Sequence, residues 1–233
     1  MTSSGTTSFS LANGEGVIDA LERCGIGKPE MTANHFRSAA RQLNLLFASE
    51  WSNRGINLWE VQLLSQALTQ GTATYTLPAN VIMVLDAVRS TTTGSLQTDI
   101  FMSPITRDDY IAYPQKATQG PPTVYWFNRQ ITPQITLYPT PDNGGPYTLN
   151  YYAATQVQDA NLPSGETPDV PVRWYDAMCA GLAYRLARIY APQLEDKRKQ
   201  DYMEAWQLAA DQDIENAPVK IIPSLSGYYG MSR

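Results

Sequence analysis

One histidine, His35, and two cysteines, Cys24 and Cys179, are the side chains among these 233 residues whose types suit a base near neutral pH or a thiolate nucleophile. A Ser–His–Asp or Cys–His arrangement would have to be built on His35. That residue stands beside Phe36 in the first turns of an expected helix, and neither cysteine is near it in sequence. Neither a CxxC pair nor an HExxH occurs, so one histidine and two distant cysteines do not make a zinc set. The acids Asp99, Asp108 and Asp109 have the right chemistry for general acid and base work on a glycosidic bond, a reaction defined by the distance between two carboxyls. The simpler reading of these acids is a solvated acidic face. The segment "GIGKPE", residues 25 to 30, lacks the Ser or Thr after Lys28 that a phosphate loop needs and has no strand before it, so it reads as a helix stop and turn. No catalytic residue, cofactor or metal site is therefore expected, and a binding or structural role is favoured.

Composition points the same way. Apolar residues at 43% and charged residues at 17% describe a folded chain with fewer charges than average. Fourteen tyrosines and five tryptophans suit surfaces buried against partners as well as a β-rich core. The net charge of −5 sits in the middle: nine acids and four bases fall between Glu60 and Asp169, while the remainder balances at thirteen of each. Such a balance argues against a surface that grips nucleic acid through its phosphates. The first residues, "MTSSGTTSFSLANGEG", have neither the basic nor the apolar segment of a secretory signal, and no apolar stretch approaches the roughly 20 residues of a membrane span. Cys24 and Cys179 read as small core residues.

The elements that would hold these residues follow from period and punctuation. Residues 1–12 read as a mobile arm. "EGVIDALERCGIG" reads as a short helix with Val17, Leu21 and Cys24 on one face and Gly25 or Gly27 as its stop. "MTANHFRSAARQLNLLFASEWSNRG" reads as a longer one, capped by Thr32 or Asn34, with Phe36, Ala40, Leu43, Phe47 and Trp51 as its apolar stripe. After Gly55 the period changes, and β-branched runs punctuated by Gly71 and Pro78 predict strands up to about residue 90. Strands resume at "PTVYWFNRQITPQITLYP" and "GPYTLNYYAATQV", with "PTPDNGGP" between them as a turn. Residues 99–120 read as less regular, with one helical turn capped by Thr106 and Asp109. Two further helices are expected: one from an Asp169 cap, with Tyr175, Met178, Leu182, Leu186 and Ile189 repeating to a stop at Pro192, and one with Tyr202, Trp206 and Ala209 or Ala210 inward, ended by Pro218. The fold class is α+β: a four-helix bundle-like body (13–55 and 169–216), a β-rich sandwich or barrel-like insertion (56–168) between helices 2 and 3, and an extended C-terminal arm (217–233).

One ordered set of residues resembles a known family. "LNLLFASEWSNRGINLWEVQ" and "LTQGTATYTLPANVIMVLDAVRS" carry W-x-x-x-G, then N-L-W, then G-x-x-x-Y-x-L-P and an aliphatic strand, on Trp51, Gly55, Asn57, Leu58, Trp59, Gly71, Tyr75, Leu77, Pro78 and Val81 to Val88. "LPSGETPDVPVRWYDAMCAGLAYRLARIY" adds P-x-x-W-x-x-A-x-x-x-G-L-A-x-x-L-A. The whole, from about residue 12 to 215, resembles the head-to-tail adaptor proteins of short-tailed and related bacteriophages, the group that includes the tail accessory factor of the P22-like phages.

The resemblance implies a non-enzymatic virion protein at the head–tail junction, made in the bacterial cytoplasm. It implies a homo-oligomeric ring of twelve that sits below the portal protein, extends the DNA channel without sequence-specific binding, and holds a tail or nozzle protein. In this family a C-terminal extension reaches onto the portal. Here the matching segment, "PVKIIPSLSGYYGMSR", is rich in apolar and aromatic residues, with Ile221, Ile222, Leu225, Tyr228 and Tyr229 as anchors for a docking arm. Asp99, Asp108 and Asp109 become candidates for acids that face the channel and repel the passing phosphates. A tail-associated cell-wall hydrolase or glycan-binding component, using Asp108 and Asp109, is the rival expectation.

Overall fold

The computed structural model describes residues 3–161 and 165–214. Helix α1 (Asn13–Arg23) starts where the Glu15 carboxylate accepts a hydrogen bond from the Ala12 N–H, and it stops at Gly25, whose φ of +85° only glycine adopts easily. Its buried face is Val17, Ala20 and Leu21, with Cys24 just beyond. Helix α2 (Ala33–Leu45) is capped at Thr32 and runs into a π-helical turn, Leu46–Glu50, and a 3-10 turn, Trp51–Asn53. Leu43, Phe47 and Trp51 of the expected stripe are buried; Ala39 and Leu46 are buried with them, while Phe36 and Ala40 are half-buried.

A 3-10 turn at Leu58–Glu60 leads into seven strands: β1 (Val61–Ala67), β2 (Thr74–Thr76), β3 (Val81–Thr93), β4 (Leu96–Pro104), β5 (Val124–Asn128), β6 (Gln134–Tyr138) and β7 (Tyr147–Thr155). They form one sheet in the order β1-β7-β3-β4-β5-β6-β2, antiparallel except where β4 meets β5 at Ser103 and Pro104. The sheet curls: Tyr75 of β2, at one edge, joins the same buried cluster as Leu149, Tyr151 and Ala153 of β7, five strands away in pairing order. β4 was not foreseen as a strand. A short helix α3 (Arg107–Ala112) follows it, with the expected Thr106 and Asp109 capping box.

After the sheet, Pro171 starts a 3-10 turn, Val172–Trp174, that passes into α4 (Tyr175–Tyr190). Asp169 is thus too early to cap α4, and its carboxylate instead accepts from the Gln158 N–H at 3.3 Å. α4 is apolar nearly all round, as a helix buried on most sides must be, and it packs against α1, α2 and the last helix, α5 (Glu195–Ala210). Small residues let these helices approach closely. A Cβ on Gly181 would lie 2.8 Å from a ring carbon of Tyr202 and 3.0 Å from a methyl of Leu46. Tyr175, Met178, Leu182 and Leu186 are buried as expected, whereas Ile189 is exposed. The helices thus share one apolar core and the sheet owns a second.

Candidate functional site

Where the helices meet the sheet, the chain gathers four of its five tryptophans. Trp51, in the 3-10 turn beyond α2, has its ring centroid 5.5 Å from Trp174, 5.3 Å from Trp206 and 6.3 Å from Trp59. Its indole N–H donates to the Tyr202 hydroxyl at 3.1 Å, within the core. The Arg54 guanidinium lies over Trp206 at 4.5 Å and Tyr202 at 5.0 Å, in cation–π contact. Trp59 begins the path into β1, Trp174 begins α4 and Trp206 belongs to α5, so four separate segments are tied at one joint.

Polar groups complete the joint. Asp213, whose side chain is only 4% exposed, accepts from the Leu58 N–H at 2.8 Å and pairs with Arg173 at 2.9 Å. Next to it Glu60 is 4% exposed and accepts from the Asn57 amide at 3.2 Å. Burial pushes the Glu60 carboxyl up to about 7, and the Asp213 charge adds to the rise while the Asn57 bonds oppose it. An open cleft of about 300 Å³, lined by Ile56, Glu60, Met83 and Arg129 among others, borders this spot. Sequence reasoning missed Asp213 and Glu60; a lone acid in a helical tail and another before a strand give no local signal of burial.

The second exposed feature is the outer face of the sheet. The Ser65 hydroxyl donates to the Asn150 amide oxygen at 2.5 Å, and the Asn150 amide donates to Ser90 at 2.6 Å. Ser90 in turn bonds Asp99, whose carboxyl is held below the usual range by that bond and by Gln97, at 2.9 Å. A polar row therefore crosses β1, β7, β3 and β4, with Asp99 at its end. Asp109 is committed to the cap of α3: its carboxylate accepts from the Thr106 N–H at 3.1 Å and hydroxyl at 2.7 Å, which lowers its pKa. Asp108 is exposed and within 3.4 Å of Arg107. Asp108 and Asp109 thus share a helix start, one paired to a neighbour and one tied into the cap.

His35, Cys24 and Cys179 each take part in capping or packing. His35 Nδ1 accepts from the Thr32 N–H at 3.2 Å, taking the place Glu usually holds in a capping box, and its ring meets the Tyr190 ring edge-on at 4.8 Å. Cys24 is buried and donates to the Ala183 carbonyl at 3.3 Å. Burial raises its thiol, and it pushes Cys179 up to about 12, so neither forms a thiolate readily. Gly25 and the 3-10 turn Lys28–Glu30 make the "GIGKPE" segment a turn. Among the described residues no cluster of three or more His, Cys, Asp or Glu is placed to hold a metal, and no helix is long and apolar enough to cross a membrane. Ile221, Ile222, Leu225, Tyr228 and Tyr229 lie outside the described residues.

Four of the motif residues noted in the sequence, Trp51, Asn57, Leu58 and Trp59, take part in the joint, while Tyr75, Leu77 and Val81 lie in the core of the sheet. No curated protein matches the chain. The family model described as SU10 adaptor protein matches residues 29–221, which includes the helices from α2 onward, the whole sheet and the joint. With that match spanning well over half of its length, the chain belongs to the SU10 adaptor protein family, among the phage adaptor proteins.

Proposed function

We propose that this chain is a head-to-tail adaptor of the kind found in P22-like phages: twelve copies form a ring below the portal protein, continue the DNA channel, and hold the tail or nozzle. The observation that carries the reading is the family match over residues 29–221. The helical body, a bundle built around α4, is the ring-forming part in this reading, and the segment 217–233 is the arm that docks on the portal. Asp213 supports the arm's role, since it holds the last described turn against Leu58 and Arg173 and so gives the arm a fixed point of departure. Asp99 and Asp108, both open to solvent, are the acids available to face the channel and repel phosphates. Asp109 contributes there only through its fixed charge at the start of α3.

The test is the mass of the purified chain, alone and mixed with the portal ring of its own phage, for the full length and for a version stopped at Ala217. The full chain should add to the portal as a ring-sized multiple and the shortened one should not. Failure of both versions to bind would remove the adaptor reading. Equal binding by both would leave an adaptor whose docking does not use the arm.

A further inference from the structure

We propose that neighbouring copies of this chain join through their sheets, with β4 of one copy pairing antiparallel to β1 of the next. The proposal rests on the ring assembly above and names its contact. β1, β7, β3 and β4 form an antiparallel run, with register shifts in β3 between Val81 and Asp86, whose two outer strands each have an open side. On β1 that side extends over Val61–Ala67. On β4 it covers the seven residues 96–102, because β5 joins β4 only at Ser103 and Pro104. Among the described residues no main-chain hydrogen bond reaches either open side.

Long open edges are normally blunted by lysine, proline or a covering loop. Here the β1 edge carries no charge, and Asp99 is the single charge on 96–102. Leu63 and Phe101 are each 58% exposed and Ile100 43%, so both edges present apolar side chains to water. Backbone groups left unpaired beside such side chains are a template for another strand.

The occupant follows from register. In the existing sheet Leu63 lies opposite Tyr152, Ser65 opposite Asn150, Asp99 opposite Ser90 and Phe101 opposite Val88, so these four residues of β1 and β4 share the outer face. Leu64 and Ile100 share the inner face. An antiparallel pairing that keeps the faces aligned sets Leu63 against Phe101, Leu64 against Ile100, and Ser65 against Asp99. Two apolar pairs are thereby covered, and the polar row from Ser65 to Asp99 continues into the next copy. Strand direction alternates over the four strands, so copies related by rotation about an axis tilted from the strands meet in the antiparallel sense, the tilt taking up the two-residue stagger between Phe101 and Leu63. Self-pairing of two β4 edges about their midpoint would instead set Asp99 against Asp99, and like charges directly opposite destabilise a strand pair. A contact between two different edges is head-to-tail, the kind that closes into rings.

The same register sets Ala67 opposite Gln97, both exposed in the single chain. The test is therefore the double variant Ala67→Cys/Gln97→Cys, assembled on the portal ring and treated with a short bis-maleimide, beside each single variant. Both native cysteines are buried and should not react. Covalent multimers of two or more subunits from the double variant, with the single variants staying monomeric on a denaturing gel, are the expected result. Assemblies of unchanged mass in which the double variant does not cross-link would overturn the strand contact while leaving the ring intact. Covalent dimers from Gln97→Cys alone would overturn it in favour of two β4 edges meeting. Absence of any multi-subunit assembly on the portal would take down the ring reading and this contact with it.

Discussion

Replacing Glu60 by glutamine should stabilise the protein, and only above a particular pH. The Glu60 carboxyl is buried at the joint, and its pKa rises from an ordinary 4.5 to about 7. At ~1.4 kcal/mol per pH unit, that rise bounds the cost of holding the charged form in the folded state at ~3 kcal/mol. The open cleft that Glu60 lines gives water some access, which brings the working value to ~2 kcal/mol. Below pH 4.5 both folded and unfolded chains hold the proton and nothing is lost. Between 4.5 and 7 the unfolded chain has released its proton while the folded one retains it, so stability falls as pH rises. Above 7 both are ionised and the full cost is present. Glu60→Gln keeps an oxygen for the Asn57 amide and removes the charge. Urea unfolding from pH 4.5 to 8.5 should show the variant ~2 kcal/mol more stable at pH 8, with the difference vanishing toward pH 4.5. A difference that does not change with pH, or a glutamine variant less stable at pH 8, would refute the assignment of a buried charge here.

Tyr202→Phe removes the acceptor of the buried Trp51 N–H and should cost about 1–2 kcal/mol in urea unfolding, with a changed tryptophan emission. Gly181→Ala forces a methyl against Tyr202 and Leu46 and should cost roughly 1–3 kcal/mol by the same assay; a neutral result would mean that α4 and α5 are not so closely packed. Asp109→Ala should expose α3 to faster amide exchange through loss of its cap, about 1 kcal/mol, while Asp108→Ala should leave exchange there unchanged. Portal binding lost on stopping the chain at Ala217 remains the functional prediction.

Much of the scaffold was legible because burial on one side imposes a period. α1 and α5 present the faces that spacing indicated, and the strands from Val61 to Val88 follow the change of period after Gly55. β4 was illegible for the converse reason: of its nine residues only Met102 is buried, so its sequence carries no alternation to read. The start of α4 was misplaced because Pro171 feeds a 3-10 turn before the helix proper. Trp51, Trp59 and Trp174 stood out as motif residues, but that they meet one another and Trp206 is a matter of tertiary packing between segments more than a hundred residues apart. Thr32 was visible as a cap, whereas its reciprocal partner is a histidine in the place of the usual Glu or Gln.

In the proposed adaptor reading, Asp213 is the fixed point from which segment 217–233 departs. Nineteen residues, 215 to 233, follow the last described position. Tyr229 stands sixteen positions beyond Asp213, so at ~3.3–3.6 Å per residue even a fully drawn-out chain reaches no more than about 58 Å. Any surface gripped by Tyr228 or Tyr229 must therefore lie within that radius of the joint. In the same proposed reading, loss of the Arg173 pair or the Leu58 hydrogen bond would free this point of departure and dilute the local concentration of residues 217–233 at the portal, weakening capture without a change in any of those residues.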